Sequence, residues 1–422
     1  MKEETTGQRH PEEPFPSYPT AAFAVFADNH YFDPGLGAES PIFRDDLVRN
    51  RDIKLLKDSP EILEAALEEV SSLPVDFLLI CGDLTKDGEE SSHRLLARKL
   101  REFDRKGLKT FVINGNHDVN NQRARGYRGN RREQVKSISP EEFAELYQGQ
   151  GYGGALERDP HSLSYLAEPV PGLWLLCLDT CCWQHGYREE GRLQPETLTW
   201  TQHLFRRARQ EGKALLGMMH HGLLEHYRDN RKYYSAYVID EHREVAAAFA
   251  RGGLKVVFSG HFHSQDIATM ALPGEDAFVY DVETGSLATY PCPYRLVTID
   301  ENQHMHIRTH TVKATASHPR GFPSYAFNSC YDLAEKLAVR RLRRWGMSRR
   351  DCALLAPQVV AAFQAHGLGN PEVREVPLDL TGVSLWGRFV IEKKRGLMEA
   401  LWEQTPPDDN QLTIDLTKGA YW

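Results

Sequence analysis

Five short apolar segments of the chain each end in residues that commonly bind metal ions. The segments cover residues 21–27, 77–81, 110–114, 214–219 and 255–259. Each has about four to eight residues, which is typical of a buried β-strand. The groups that follow them are Asp28-Asn29-His30, Gly82-Asp83, Gly115-Asn116-His117-Asp118, His220-His221 and Gly260-His261-Phe262-His263. Because ligands bind beyond the carboxyl ends of such strands, we expect these groups to converge on one site.

The donor types in these groups indicate a site for two divalent metals that bind phosphate oxygen. Two metals about 3.5–4 Å apart need one ligand that touches both. Asp83 is the natural bridge, because it is the lone carboxylate of its group. Residues two apart on a strand or turn point the same way, so Asp28 can converge with His30. Asn116 offers a neutral amide oxygen, which keeps the negative charge of the site low enough to accept an anionic phosphate.

The order of these groups resembles the calcineurin-like metallophosphoesterase superfamily over residues 21 to about 311. Further blocks at 82–85, 161–165, 260–266 and 283–287 resemble a bacterial branch that is linked to cyclic-nucleotide phosphodiesterase activity and has an added C-terminal domain. The resemblance implies an α/β fold with two mixed β-sheets packed as a sandwich and flanked by helices, plus a smaller, mainly helical C-terminal domain. It also implies two divalent or trivalent metal ions (Mn, Fe or Zn) as cofactors.

The resemblance assigns a role to each site residue. The metal ligands that it implies are Asp28, His30 and His263 for one metal, Asn116, His220 and His261 for the other, and Asp83 for both. His221 remains open as the alternative to His220. His117 would face the phosphate and protonate the leaving alkoxide, while Asp118 would hold its ring in one tautomer. A metal-bound hydroxide would attack the phosphorus in line.

The leading functional hypothesis is therefore a dinuclear metal-dependent phosphodiesterase acting on small diesters, with 3′,5′-cyclic nucleotides as the substrates that the resemblance indicates. The alternative enzyme is a phosphomonoesterase, or a nucleotide or phospholipid pyrophosphate hydrolase, with the same dimetal site. A third hypothesis is a non-catalytic scaffold, but such proteins lack some of the ligand residues, and here all are present.

Composition narrows the partners and the compartment. A net charge of −8 argues against binding of nucleic-acid polymers, which recruit basic surfaces. We expect no membrane partner, because no apolar run has the length of a membrane-spanning helix. Residues 1–20 are polar and lack the apolar core of a signal peptide, and the odd number of cysteines, 7, favours reduced thiols. These features predict a cytoplasmic protein; the oligomeric state stays open.

The hydrophobic pattern predicts two domains, as expected for 422 residues. We expect an N-terminal arm over 1–20, disordered or draped over the protein, and a catalytic domain over 21–313. A linker with Pro, Gly and Ser covers 314–325, and a mainly helical domain covers 326–422. Within the last region, the pattern predicts helices over 331–345, 348–366 and 391–403, packed on the catalytic domain through apolar residues such as Leu333 and Leu342.

Some charged residues lie outside the metal-binding groups and allow more than one interpretation. An arginine-rich segment follows the Gly-Asn-His-Asp group and forms either a rim that guides phosphate or a solvated loop; it contains Arg123, Arg125, Arg128, Arg131 and Arg132. Histidines without a partner motif, His93 and His226 among them, are interpreted as surface or packing residues. Asp179 ends another apolar run and is interpreted as a structural carboxylate.

Overall fold

The computed structural model describes residues 15–50, 52–369, 378–403 and 405–422. Its strands are β1 (Ala21–Phe26), β2 (Phe77–Cys81), β3 (Lys109–Ile113), β4 (Arg125–Arg128), β5 (Arg131–Gln134), β6 (Glu157–Arg158), β7 (Tyr165–Val170), β8 (Leu173–Leu178), β9 (Ala214–Met219), β10 (Leu254–Ser259), β11 (Asp266–Ala271), β12 (Phe278–Glu283), β13 (Pro293–Ile299), β14 (His304–Thr311) and β15 (Gln411–Asp415). Its helices are α1 (Pro41–Asn50), α2 (Ser59–Ser71), α3 (Glu90–Asp104), α4 (Pro140–Leu146), α5 (Pro195–Glu211), α6 (Asn230–Tyr234), α7 (His242–Gly252), α8 (Phe322–Arg344), α9 (Arg349–Leu368), α10 (Leu385–Glu392) and α11 (Arg395–Trp402).

Two mixed sheets form the centre of the fold. The first has the order β15-β14-β13-β1-β2-β3, with β1, β2 and β3 parallel. The second has the order β11-β12-β10-β9-β8-β7-β6, with β12, β10, β9 and β8 parallel. Strands β4 and β5 form a separate hairpin. This architecture, with helices outside the sheets, confirms the predicted fold class.

Alternating side chains of the second sheet explain why it is buried on both faces. In β8, Leu175 and Cys177 belong to the core shared with the first sheet, whereas Trp174 and Leu176 pack with residues of α5 and α7. Such near-continuous apolar strands are expected where helices cover parallel strands. Across the sandwich, the ring of Phe23 in β1 meets the ring of Phe258 in β10 edge-on at 5.5 Å between centroids.

The predicted strands that precede the metal-binding groups lie within a residue of the observed β1, β2, β3, β9 and β10. The largest difference concerns the predicted linker. Helix α8 begins at Phe322, inside the 314–325 segment, because Gly321 starts it in the left-handed conformation and Pro323 lies in its first turn. The buried side chains of Phe322 and Ala326 join the main core.

The C-terminal region contacts the rest of the chain at several places. Leu333 of α8 packs with Phe32 and Phe43, and Ala400 of α11 packs with Tyr227. The predicted helix over 391–403 corresponds to α11, and α10 is a further helix before it; the chain then returns to the first sheet as β15, antiparallel to β14. The division into domains stays a prediction.

The N-terminal arm is described from residue 15 onward, and its first fourteen residues lie outside the described part. The Tyr18 side chain is buried, and its hydroxyl donates to the carbonyl of Leu215 at 2.8 Å. The ring of Phe15 lies under the guanidinium of Arg209 at 4.3 Å. This part of the arm therefore lies on the second sheet and α5.

No helix among the described residues is long and apolar enough to cross a bilayer.

Arg295 of β13 joins the two sheets to the C-terminal strand. The side chain is fully buried, and burial lowers the pKa of its guanidinium to about 10. It donates to the carbonyl oxygens of Asp409, at 2.7 Å, and of Glu283, and to the hydroxyl of Thr284 at 3.3 Å. One cation thus satisfies buried acceptors from two segments that are far apart in sequence.

We predict that Arg295→Leu lowers the free energy of unfolding by about 3–5 kcal/mol, because the buried acceptors would lose their donor. Arg308→Leu on the adjacent β14 is the control; its side chain is exposed, so the change should stay within about 0.5 kcal/mol. Urea unfolding followed by tryptophan fluorescence measures both. Equal stabilities for the two variants would contradict the assigned role.

Candidate metal centre

The five metal-binding groups meet at the carboxyl ends of β1, β2, β3, β9 and β10, in the loops that follow directly. These loops turn sharply, and several candidate ligands have left-handed backbones. The positive φ angles are 52° at Asp28, 42° at His30, 47° at Asp83, 76° at His261 and 65° at His263. Non-glycine residues rarely adopt this conformation, and such strain concentrates at functional sites.

Four of these side chains form one cluster: Asp28, His30, Asp83 and His263. His30 Nε2 lies 3.3 Å from His263 Nε2 and 3.5 Å from Asp83 Oδ2. Asp28 Oδ1 lies 3.2 Å from His263 Nε2 and 3.8 Å from His30 Nε2. The His263 side chain is 22% exposed, whereas the others are buried, so the cluster opens to solvent at one side.

A second cluster contains Asp83, His220 and His261, so Asp83 belongs to both. His220 Nε2 lies 3.4 Å from Asp83 Oδ1, 3.1 Å from His261 Nδ1 and 3.0 Å from Asn116 Oδ1. The other ring nitrogen of His220 lies 2.9 Å from the carbonyl oxygen of Cys81. Donation to that carbonyl leaves Nε2 as the free acceptor, the arrangement common for metal-binding histidines.

His221 is not part of the second cluster, although its ring centroid lies 4.3 Å from that of His261. Its Nδ1 lies 2.8 Å from the hydroxyl of Thr180, and its Nε2 lies 3.1 Å from the carbonyl oxygen of Glu189. Both ring nitrogens therefore have polar partners in the neighbouring loops. Of the two adjacent histidines, the geometry favours His220 as the ligand.

The clusters fit two metal ions by several criteria. Asp28 Oδ1, which lies in the first cluster, is buried without a hydrogen-bond partner among the described residues. Ring nitrogens approach one another at 3.1–3.3 Å, close to the ligand–ligand separations of about 3.0–3.5 Å that metal–ligand bonds near 2.1 Å produce. Burial lowers the pKa of His30 and of His261 well below the usual range, which favours the neutral imidazole that binds metals.

Glycine is required where these loops approach one another. A Cβ on Gly115 would lie 2.2 Å from Asp83 Oδ1, and a Cβ on Gly260 would lie 2.5 Å from Asp28 Oδ2. Neither distance is possible between real atoms, so both positions admit glycine alone. The glycines of the sequence groups thus allow the carboxylates to lie between neighbouring strands.

The ring of His117 lies beside the centre and is not part of either cluster. Its Nδ1 lies 2.9 Å from Asp87 Oδ1 and 2.7 Å from the carbonyl oxygen of Lys86, and its Nε2 lies 3.9 Å from Asp83 Oδ2. Burial alone would lower the pKa of His117, but the charge of Asp83 and the hydrogen bond to Asp87 outweigh it, and the pKa is raised.

The prediction that Asp118 holds the His117 ring is wrong. Asp118 turns away and accepts hydrogen bonds from the backbone amides of Leu84, Thr85 and Gly115 at 2.8–3.0 Å. It therefore braces the two loops that carry Asp83 and Asn116. The carboxylate that holds the ring is Asp87, four residues after Asp83.

A family comparison identifies the architecture of the site. The family model described as calcineurin-like phosphoesterase matches residues 21–265. The chain belongs to the calcineurin-like phosphoesterase family. Its metal-binding groups up to His263 lie within the matched residues, and the family relationship together with the clusters supports two metal ions bound to this phosphoesterase. No curated protein matched the chain.

Solved structures with similar folds include phosphatases. A dimetal phosphatase from Danio rerio is 13% identical, with 70% of this chain and 97% of that chain covered and a TM-score of 0.46. Purple acid phosphatase PPD1 from yellow lupin (Lupinus luteus) is 10% identical, with 71% and 52% covered and a TM-score of 0.43. Phosphopantetheinyl hydrolase from Mycobacterium tuberculosis is 13% identical, with 63% and 89% covered and a TM-score of 0.30.

Sequence reasoning missed the residues that surround the centre. Besides Asp87, they are Lys54, whose charge acts on His30 and His117, and Tyr187, whose ring centroid lies 5.1 Å from that of His117. Asp87 lies four residues after Asp83 in the same loop, and this short spacing indicates in the sequence that it lies near the centre. Lys54 and Tyr187 lie in loops without a motif, so their sequence context does not mark them.

A buried polar cluster supports the loop that carries His261 and His263. His226 is fully enclosed, with Nδ1 2.8 Å from Asp266 Oδ1 and Nε2 3.0 Å from Asp281 Oδ2. Burial would lower the pKa of His226, but the charges of Asp281 and Glu283 outweigh it and raise the pKa well above the usual range. Glu283 also accepts a hydrogen bond from the Ser264 hydroxyl at 3.0 Å, next to the candidate ligand.

Alanine substitution of each adjacent histidine tests which of the two binds metal. We predict that His220→Ala lowers the metal content of the phosphoesterase from about two ions per chain to about one, because the second cluster loses a ligand. His221→Ala should retain both ions, since both ring nitrogens bond to other residues. Inductively coupled plasma mass spectrometry on dialysed protein gives the counts. Loss of metal in His221→Ala with retention in His220→Ala would reverse the assignment.

Proposed function

We propose that the chain is a dinuclear metal-dependent phosphodiesterase that hydrolyses small phosphodiesters, with 3′,5′-cyclic nucleotides as the first candidates. One observation carries most of the proposal: the oxygens of Asp83 face two different histidine clusters, and Nε2 of His117 lies near the same carboxylate. This combines a shared metal ligand with a proton donor in one site. Partners under this proposal are small diesters, without nucleic-acid polymers or membranes.

Asp28, His30 and His263 would hold one metal, and Asn116, His220 and His261 would hold the other, with Asp83 shared. When bound, the two metals would supply positive charge for the phosphoryl oxygens and lower the pKa of water toward about 7. The ligand set carries only two negative charges, those of Asp28 and Asp83, because the imidazoles and the Asn116 amide are neutral. Two divalent ions would therefore leave the site positively charged, which suits an anionic ester.

His117 would act on the leaving group. Water first loses a proton to solvent; the resulting hydroxide oxygen then bonds to phosphorus, the phosphorus–oxygen bond to the alcohol breaks, and His117 Nε2 gives its proton to the departing alkoxide oxygen. Asp87 accepts from Nδ1 and thereby keeps the second proton on the ring, so that Nε2 is the atom facing the reaction. Asp87 therefore holds the His117 ring, the role that the sequence resemblance implied for Asp118.

Support for diesters comes from the sequence resemblance of the blocks at 161–165 and 283–287. Both blocks brace the centre. The Ser286 hydroxyl donates to the carbonyl of Asp28 at 2.9 Å, and the hydroxyl of Ser164 accepts from the amide of Asp179 at 2.8 Å. Asp179 in turn bonds to the Asn114 amide group and acts as a structural carboxylate. A preference for diesters therefore depends on the resemblance, and a phosphomonoesterase or pyrophosphate hydrolase is the competing candidate.

A substrate panel tests the proposed function. Protein reconstituted with Mn²⁺, Fe²⁺ or Zn²⁺ should cleave bis(4-nitrophenyl) phosphate and cyclic AMP with a higher kcat/KM than 4-nitrophenyl phosphate or a nucleotide pyrophosphate. Chelation should abolish all activity, and metal should restore it. A monoester or pyrophosphate advantage of about tenfold, or 1.4 kcal/mol in transition-state stabilisation, would favour the competing enzyme. Full activity without metal would overturn both.

Two leaving groups test the role of His117. We predict that His117→Asn keeps both metals and lowers kcat by about 10²–10⁴ for an alkyl leaving group that must be protonated. The loss should be much smaller for 4-nitrophenolate, which leaves without a proton. Asp87→Asn should show the same dependence on the leaving group at smaller amplitude. Metal content and rate are measured on the same preparations.

Loss of metal in His117→Asn, or equal losses with both leaving groups, would show that His117 is not the acid. Asp83→Asn is the contrasting variant, because the shared ligand is weakened. It should lose metal as well as activity with every substrate.

A further inference from the structure

The arginine-rich segment after the catalytic loop separates into two groups in the structure. Three arginines contact neighbouring residues around the β4–β5 hairpin. Arg125 donates to the carbonyl oxygens of Gln122 and Ala124, Arg128 pairs with Glu133 at 3.6 Å, and Arg132 pairs with Asp46 at 2.6 Å. The segment is thus neither a uniform rim nor a wholly solvated loop.

Arg123 differs from these three. Its guanidinium carbon lies 3.6 Å from the centroid of the Tyr187 ring, and among the described residues no carboxylate pairs with it. Stacking on a ring uses the face of the guanidinium and leaves its N–H edge free for a planar anion. The side chain is exposed, so a ligand can reach it.

Tyr187 connects this guanidinium to the reaction site. Its ring lies 5.1 Å from the ring of His117, the proposed donor of the leaving-group proton. Burial raises the pKa of Tyr187, and the nearby charge of Arg123 opposes that rise. The Tyr187 hydroxyl lies 3.4 Å from Glu189 Oε1, so that carboxylate is at the hydroxyl end of the ring. The leaving group would depart beside His117 and meet the Tyr187–Arg123 pair next.

The two loops that carry the pair are tied to the catalytic histidine. Asn121 is buried; its amide nitrogen donates to the carbonyl of His117 at 2.9 Å, and its Oδ1 accepts from the backbone N–H of Arg123 at 2.9 Å. The backbone N–H of Tyr187 donates to Gln122 Oε1 at 3.0 Å. The backbones of both residues therefore have a defined position relative to His117.

We propose that Arg123, supported by Tyr187, binds a negatively charged group on the leaving portion of the substrate. The inference rests on the proposed function and specifies its substrates: phosphodiesters whose leaving alcohol carries a carboxylate or a further phosphate. The metal centre would bind the scissile phosphate, and Arg123 would bind the second anion. A guanidinium fork matches both carboxylate and phosphate, and the two are distinguished by the choice of substrate.

Matched substrates test the proposal. Methyl phosphodiesters of 4-hydroxybenzoate and of its neutral methyl ester differ by one charge on the leaving group. Arg123→Gln should lower kcat/KM for the carboxylate substrate by about tenfold, the usual worth of a hydrogen bond to a charged partner, and barely change it for the neutral ester. Tyr187→Leu should resemble Arg123→Gln, whereas Tyr187→Phe keeps the ring and should resemble the wild type. A 4-phosphophenyl leaving group tests whether a phosphate binds more tightly than the carboxylate.

Arg131→Gln is the charge-matched control. Arg131 is exposed at the start of β5, so its removal changes the net charge equally without touching Tyr187. An equal selectivity loss in Arg131→Gln, or equal losses on both substrates in Arg123→Gln, would overturn the proposal, because either would indicate a general effect of charge.

Binding provides a readout that does not need turnover. Calorimetry with the metal-loaded protein would compare the binding of 4-carboxybenzyl phosphonate with that of the analogue whose carboxylate is a methyl ester. The phosphonate group is the same in both compounds, and neither carbon–phosphorus bond can be hydrolysed. The wild type should prefer the carboxylate, and Arg123→Gln should lose that preference. If neither diester is cleaved but this preference is found, the proposed reaction fails and the anion site stands. If both diesters are cleaved and selectivity does not depend on Arg123, the anion site alone fails.

Discussion

The carboxylate of Asp83 is the constraint on which the rest of the site depends. Its two oxygens face different histidines, His30 at 3.5 Å and His220 at 3.4 Å. This position requires a strand with a neighbour on each side, and β2 lies between β1 and β3. It also requires a left-handed backbone at Asp83, the glycine at 115 beside it, and the His117 amide, which donates to Oδ1 at 2.9 Å.

The loop that carries His261 and His263 also packs against the C-terminal region. Phe262 lies between the candidate ligands His261 and His263, and its ring contacts Tyr237 at 4.5 Å and His366 of α9 at 5.2 Å. The amide of Gln265 donates to the carbonyl of Gly367 at 3.3 Å. A loop with unusual backbone angles persists only where its surroundings determine it. Helix α9 therefore packs against the loop that carries His261 and His263.

Local sequence patterns predicted the elements that depend on neighbouring residues in the chain. Apolar runs of strand length marked β1, β2, β3, β9 and β10, and their carboxyl ends brought the expected donor groups together. The errors concern contacts between distant segments. Asp118 is adjacent to His117, yet backbone amides of the loop after β2 bind its carboxylate, and Asp87 from that loop reaches the ring. The partners of His226 lie 40 and 55 residues away, which no motif spacing indicates.

Electron paramagnetic resonance of the Mn²⁺-loaded protein tests most directly whether Asp83 joins two metals. Titration of metal-free protein should give about two bound Mn²⁺ per chain with the signal of a spin-coupled pair, because a carboxylate shared by both ions would hold them close together. Asp83→Asn should lose the coupled signal and bind at least one ion fewer. A single bound ion in the wild type, or two ions without coupling, would contradict the account.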